Sequence, residues 1–138
     1  MDIFNQFATN EEAENKGTWF PFGDCELLVA RGGNRYYERL MMKLYNENRV
    51  VLEGFDTDDD QKVEEADKAS DKIMIEVMAR TILKGWRGNF MYKGQPLEYS
   101  VENAKLVLQH RPFRIKVGEF ADDSAAFELK KEVEQGNA

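Results

Sequence analysis

The segment from Ile82 to Pro112 constrains the fold most, because it combines a helix end, a short apolar crossover and a second helix start. Apolar residues that lead into it recur at spacings of three and four, which marks one face of a helix. These residues are Ile75, Met78, Ala79, Ile82, Leu83 and Trp86. Gly85 and Gly88 favour the left-handed backbone on which helices often end. We therefore predict that this helix stops at the two glycines.

The second half of the segment predicts a strand, a turn and a helix. Residues 90–92 (Phe-Met-Tyr) are apolar and strand-like, and residues 94–96 (Gly-Gln-Pro) are typical of a turn. Ser100 is a natural N-cap for a helix that carries apolar residues at 101, 104, 107 and 108. Pro112 is predicted to mark the end of that helix, because the residue before a proline is disfavoured in helical conformation. The predicted hinge of the fold consists of Trp86, Phe90 and Leu97.

A hairpin and a further helix are predicted before this segment. Two runs that favour strands, 18–22 and 26–30, flank the turn-forming pair Gly23 and Asp24. Asn34 then follows two glycines and is the predicted N-cap of the next helix. The apolar stripe of that helix contains Tyr37, Leu40, Met41, Leu44 and Tyr45.

Residues 53–71 differ from the rest of the chain in charge. They contain nine acidic residues and two lysines, so the formal charge of this block equals the −7 of the entire protein. Mutual repulsion and few apolar side chains are typical of a solvated, flexible loop. We therefore predict an acidic linker at about 53–68 that joins two packed halves within a single domain spanning residues 1–138.

The acidic block also shows the ligand spacing of a calcium-binding EF-hand loop. If Asp56 is the first position, carboxylates fall at positions one, three, five, nine and twelve. However, Gln61 occupies the sixth position, where the sharp turn requires glycine, and Asp67 replaces the longer bidentate glutamate at the twelfth. A solvated acidic loop is the favoured interpretation, and a calcium site is the alternative.

Composition limits the classes of protein to consider. The single cysteine, Cys25, cannot form an internal disulfide, which suits a reducing cytoplasm. No apolar run is long enough to cross a membrane, and residues 1–7 lack the basic and apolar regions of a signal peptide. The negative charge argues against general nucleic-acid binding, which normally uses a basic surface. We expect a cytoplasmic protein that binds neither nucleic acid nor membrane.

No pattern of catalytic residues is evident. His110 is the single histidine, and it is expected near a helix C-terminus, where its partial positive charge is favourable. With one cysteine besides, the chain lacks the ligands of a zinc site. The glycines at 32 and 33 are too few for a phosphate-binding loop and have no following lysine. We therefore predict a protein that is not an enzyme and that uses no cofactor.

The last helix is predicted over residues 113–134. Positions 113, 117, 120, 124 and 127 (Phe, Val, Phe, Ser and Phe) are spaced alternately by four and three residues, which gives a narrow seam. Such a seam packs either on the protein's own core or against a partner. The candidate partner-binding residues are Val117, Phe120 and Phe127.

Three motifs resemble those of the tail assembly chaperones of long-tailed bacteriophages. They are Ile-Leu-Lys-Gly-Trp-Arg-Gly at 82–88, Gly-Gln-Pro-Leu-Glu-Tyr-Ser at 94–100 and Glu-Asn-Ala-Lys-Leu-Val-Leu at 102–108. An acid-rich segment with a phenylalanine, residues 121–127, also resembles that family. The similarity extends over roughly residues 17–130.

The resemblance implies a function in tail assembly. Members of that family bind and solubilise the aggregation-prone tape-measure protein before the tail tube polymerises, and they are absent from the mature virion. In many phages a longer, frameshifted form recruits the tail tube protein. The resemblance therefore implies a homo-oligomeric chaperone with these two partners. A generic adaptor that acts through protein contacts and a head–tail connector of the virion are the alternatives.

Taken together, the patterns predict a mainly helical α+β fold. It consists of an N-terminal β-hairpin followed by about four helices, with the acidic segment as a flexible loop.

Overall fold

A computed structural model describes residues 1–128 as a mainly helical α+β fold, which confirms the predicted fold class. The helices are α1 (Ile3–Phe7), α2 (Glu11–Lys16), α3 (Arg35–Glu47), α4 (Arg49–Leu52), α5 (Asp60–Thr81), α6 (Val101–Leu108) and α7 (Arg111–Ala121). The strands are β1 (Thr18–Phe22), β2 (Cys25–Val29), β3 (Leu83–Gly88), β4 (Met91–Tyr92) and β5 (Gln95–Pro96). Short 3₁₀ helices occupy Glu53–Asp56 and Ser124–Phe127.

The predicted N-terminal hairpin is present. Strands β1 and β2 pair antiparallel, with Phe22 opposite Cys25 across the Gly23–Asp24 turn, and Gly23 has a φ of 63°. Strand β3 pairs with the other side of β2, so the sheet order is β1-β2-β3. Pro21 lies on the edge strand β1, where a residue without an N–H group discourages further strand pairing.

The prediction that Gly85 and Gly88 end a helix is wrong. Helix α5 ends at Thr81, and both glycines lie in β3. Pairing with β2 satisfies the backbone of this strand and buries Leu83 and Trp86, which outweighs the helical spacing of its apolar residues. Gly88 has a φ of 89°, and a β-carbon there would lie 3.0 Å from the Cα of Cys25. Gly85 therefore lies within strand β3, and Gly88 allows the close approach to Cys25 at the end of this strand.

The prediction of a flexible acidic loop over 53–68 is also wrong. Helix α5 begins at Asp60, and the Asp59 carboxylate caps it by accepting hydrogen bonds from the N–H groups of Gln61 and Lys62. Carboxylates are favourable in the first turn of a helix because they complement its dipole. One turn later, Ala66 is fully buried. Capping and burial together order a segment that its charge alone would leave unfolded.

Gly54 allows the 3₁₀ helix at Glu53–Asp56 to rest directly on α5. It is buried, and a β-carbon at this position would overlap the carbonyl oxygen of Lys62. We expect Gly54→Ala to lower the free energy of unfolding by about 1–3 kcal/mol, because the backbone must move to relieve the overlap. Urea denaturation measures the change.

Gly118→Ala is the matched control for this prediction. Gly118 is also helical, but a β-carbon there meets no atom within 4 Å, so alanine should be neutral or slightly stabilising. Equal stabilities of the two variants would contradict the close packing of Gly54 on α5.

The C-terminal helix differs from the prediction at both ends. Helix α7 starts at Arg111, so Pro112 lies in its first turn, where the missing N–H group costs nothing. The helix ends at Ala121, whose carbonyl accepts a hydrogen bond from the Gly32 N–H group. The rest of the helix predicted to reach residue 134 partly falls outside the described residues. The predicted N-caps Asn34 and Ser100 are confirmed.

The core lies between the sheet and helices α5, α6 and α7. Its largest fully buried side chains include Leu27, Ile82, Leu83, Leu108 and Phe127. An ion-paired cluster joins α5 to α6, since Glu76 binds both Arg80 at 2.5 Å and Lys105 at 2.6 Å. Partial burial acts to raise the pKa of Glu76, but the hydrogen bonds from Lys105 and Arg80 lower it overall. Within residues 1–128, no helix is long and apolar enough to cross a membrane.

Candidate interaction surfaces

The predicted seam on the last helix packs on the protein's own core. Val117 and Phe127 are fully buried, and Phe120 stacks on Phe20 with 4.7 Å between ring centroids. Of the two alternatives predicted for the seam, packing on the protein's own core therefore agrees with the structure. Binding of a partner by Val117, Phe120 and Phe127 stays an untested prediction, and it would require the buried side chains of Val117 and Phe127 to become exposed.

Aromatic side chains continue from this seam across the molecule. Phe120 meets Phe22 edge-on at 6.4 Å, and Phe22 meets Phe113 at 5.7 Å. Phe113 then contacts Phe90 at 6.2 Å, and Phe90 stacks on Trp86 at 4.2 Å. Contacts of this geometry are favourable beyond the area they bury. The row links the hairpin, the β3–β4 connection and α7.

The outer part of this row forms a concave apolar site, which we call the aromatic groove. It is defined by Phe22, Phe90, Met91, Tyr92, Val107 and Phe113, and it encloses about 530 Å³. The four aromatic side chains are half-buried, while Met91 is exposed. A volume of this size lies within the range of binding pockets for small groups. The groove can therefore accept an apolar side chain of a partner.

Polar groups line part of the aromatic groove, and the basic group of Lys93 lies near it. The Tyr92 hydroxyl lies 2.7 Å from Nε2 of His110, and the Lys93 ammonium lies 5.7 Å from the centre of the Tyr92 ring. His110 follows Gln109, the C-cap of α6, and its N–H group donates to the Val107 carbonyl at 3.2 Å, so it does lie near a helix C-terminus, and it also precedes the first residue of α7. The short α6 ends two residues earlier, which leaves His110 to begin the next helix.

Cys25 lies at the inner end of the groove as a buried thiol. Its Sγ donates a hydrogen bond to the Phe22 carbonyl at 2.9 Å. Burial raises the pKa of the Cys25 thiol, and the negative charge of Asp24 raises it further. Because the thiolate is the reactive form, this environment keeps Cys25 unreactive near neutral pH.

The acidic segment does not form the EF-hand loop that its spacing suggested. Asp60, Glu64 and Asp67 lie along helix α5, so they cannot wrap around an ion together with Asp56 and Asp58. In residues 1–128, no group of three or more His, Cys, Asp or Glu side chains is placed to hold a metal ion.

The N-terminal helix carries a second apolar surface, which we call the N-terminal apolar face. It consists of Ile3, Phe4 and Phe7, whose side chains are 62%, 68% and 67% exposed. Helix α1 is tied to the fold just after these residues. The N–H group of Asn10 donates to the Phe127 carbonyl at 2.8 Å, and Thr9 forms a bridge with Glu128.

A third surface is the acidic corner, defined by Val50, Glu53, Phe55, Asp56 and Asp58. All five residues are exposed, and Val50 and Phe55 are 81% and 45% accessible. Sequence reasoning missed this surface because it treated the acidic block as a loop without structure. The one available signal was Phe55, an aromatic residue among acidic neighbours.

The sequence of this chain matches the model of a known protein family. A family model described as "YdaY prophage protein" matches residues 33–137, which is most of the chain. The protein belongs to the YdaY prophage protein family. The match includes every element from α3 to α7, and therefore the acidic corner and most of the aromatic groove. Neither the curated proteins nor the solved structures include a significant match. The phage origin implied by the sequence motifs is thus confirmed for this YdaY family protein.

Proposed function

We propose that this YdaY family protein is a non-catalytic tail assembly chaperone that binds and solubilises the tape-measure protein of its phage. The family match supports a phage origin. The resemblance of residues 82–108 to tail assembly chaperones supports the more specific function. We further propose that it acts in the cytoplasm of the host bacterium, that it is absent from the mature virion, and that a longer frameshifted form would contact the tail tube protein.

The N-terminal apolar face is the observation that carries this proposal. Three large apolar side chains, each more than 60% exposed, stand on one short helix that is anchored to the fold behind them. Apolar side chains clustered in this way mark a site of protein interaction. A protein that keeps an apolar client in solution needs such a surface, together with a net charge that keeps the complex soluble. The formal charge of −7 meets the second requirement.

Co-expression with the tape-measure protein tests the proposal. We expect the tape-measure protein to be insoluble alone and to be recovered as a soluble complex when the full chain is present. The double variant Phe4→Ser, Phe7→Ser should lose most of this recovery while keeping the same melting temperature, because neither side chain contributes to the core. Binding should also persist at moderate salt, because apolar contacts are not screened.

Met42→Ser is the matched control. Met42 is as exposed as Phe4 but lies on α3. If the control and the double variant lose the same amount of soluble tape-measure protein, the N-terminal apolar face is not the binding site. Failure of the intact protein to recover its client would contradict the chaperone function itself.

A further inference from the structure

The aromatic groove and the acidic corner have complementary chemistry. The lining of the groove is mainly apolar, the Lys93 ammonium lies 5.7 Å from the centre of the Tyr92 ring that lines it, and Arg111 follows the lining residue His110 along the chain. Neither Lys93 nor Arg111 forms an ion pair with another residue of the described chain. The single acidic residue that lines the groove, Asp24, accepts a hydrogen bond from Asn89 at 3.1 Å.

The acidic corner presents the opposite combination. The half-exposed ring of Phe55 stands among Glu53, Asp56 and Asp58, and none of these three carboxylates is ion-paired within residues 1–128. The corner is held in place by Gly54 against α5 and by the hydrogen bond from the Thr57 hydroxyl to the Gly54 carbonyl at 2.8 Å. Phe55 is therefore displayed on an ordered support, which reduces the entropy lost on binding.

We propose that the protein associates with itself head to tail, with Phe55 of one copy entering the aromatic groove of the next. Phe55 does not line the groove of its own copy, so that groove is open to a neighbour. The apolar contact supplies affinity, while Glu53 and Asp56 meet Lys93 at the edge and set the orientation. This inference concerns the protein without its client and does not rest on the proposed function.

The geometry of the proposal determines what kind of assembly forms. The corner and the groove are different surfaces, so each contact leaves one of each free at the ends. Such contacts build rings or open chains, whereas a two-fold dimer uses the same surface on both copies. This difference makes the proposal testable by mixing variants.

Sedimentation velocity of the purified full chain over a range of concentrations tests the association. We expect species larger than a monomer that grow with concentration and shrink in about 0.5 M salt, where the charged edge is screened. Phe55→Ser should weaken self-association about tenfold or more, as expected for a central aromatic anchor. Ile115→Ser is the control, because Ile115 is similarly exposed on α7 but does not line the groove.

A mixing experiment distinguishes head-to-tail contact from two-fold contact. Met91→Asp places a negative charge in the groove at an exposed position, so it should also abolish association while the protein stays folded. Phe55→Ser keeps an intact groove, and Met91→Asp keeps an intact corner. Mixed together, the two variants should therefore form one-to-one dimers that grow no further.

Three results would overturn the proposal. The first is an intact protein that remains monomeric at every concentration. The second is association that Phe55→Ser leaves unchanged. The third is a mixture of the two variants that stays monomeric although each is folded by circular dichroism.

Discussion

Replacing Phe127 with serine should lower the free energy of unfolding by about 3–5 kcal/mol, the range for removing a large buried aromatic side chain. Phe127 is fully buried and its ring lies 6.1 Å from that of Phe20. Serine would leave a cavity and would also bury a hydroxyl group without a partner. Urea denaturation followed by circular dichroism measures the loss.

Ala125→Ser provides the control for this change, because Ala125 is exposed in the same 3₁₀ helix and should tolerate serine. A Phe127→Ser protein as stable as the control would show that Phe127 leaves the core in solution. The seam residues would then be available to a partner, as the sequence alone allowed.

Trp86→Ala is expected to cost a similar amount, about 3–5 kcal/mol. The indole is 9% exposed, stacks on Phe90, and meets Tyr99 edge-on at 5.0 Å. Its N–H group donates to the Leu97 carbonyl at 2.7 Å, which ties β3 to the segment after β5. Thermal denaturation of the variant should show a large fall in melting temperature.

Trp86→Phe separates the two contributions of this residue. Phenylalanine keeps most of the ring packing but leaves the Leu97 carbonyl without its donor, so the cost should be about 0.5–1.5 kcal/mol. An alanine variant that melts with the native protein would show that Trp86 is a surface residue, contrary to the packing described above.

Local signals in the sequence were sufficient for much of the fold. Asn34 and Ser100 were identified as helix caps because a side-chain oxygen at those positions satisfies free N–H groups of the following turn. The Gly23–Asp24 turn likewise identified the hairpin. The sequence also placed Trp86 in the hinge of the fold, and its indole is buried there.

Tertiary contacts decided the elements that the sequence missed. Residues 83–88 carry helical spacing but become a strand because β2 offers a partner. The acidic block becomes helical because Asp59 caps it and Ala66 is buried against its neighbours, neither of which net charge reveals. Pro112 was placed at a helix end instead of a helix start, since a proline is compatible with both.

The candidate surfaces were still harder to anticipate. Phe22, Phe90 and Phe113 lie on different elements and meet only after the sheet and α7 have assembled. The sequence identified the seam of Val117, Phe120 and Phe127 because its spacing is local, but spacing cannot tell an internal face from an exposed one.

Light scattering of the tape-measure protein tests the central claim most directly. The denatured client is diluted into buffer with increasing amounts of the purified chain, and turbidity is recorded. Stoichiometric amounts should suppress aggregation, and the Phe4→Ser, Phe7→Ser variant should suppress it far less than Met42→Ser does. Turbidity that rises equally with and without the intact protein would contradict the chaperone account.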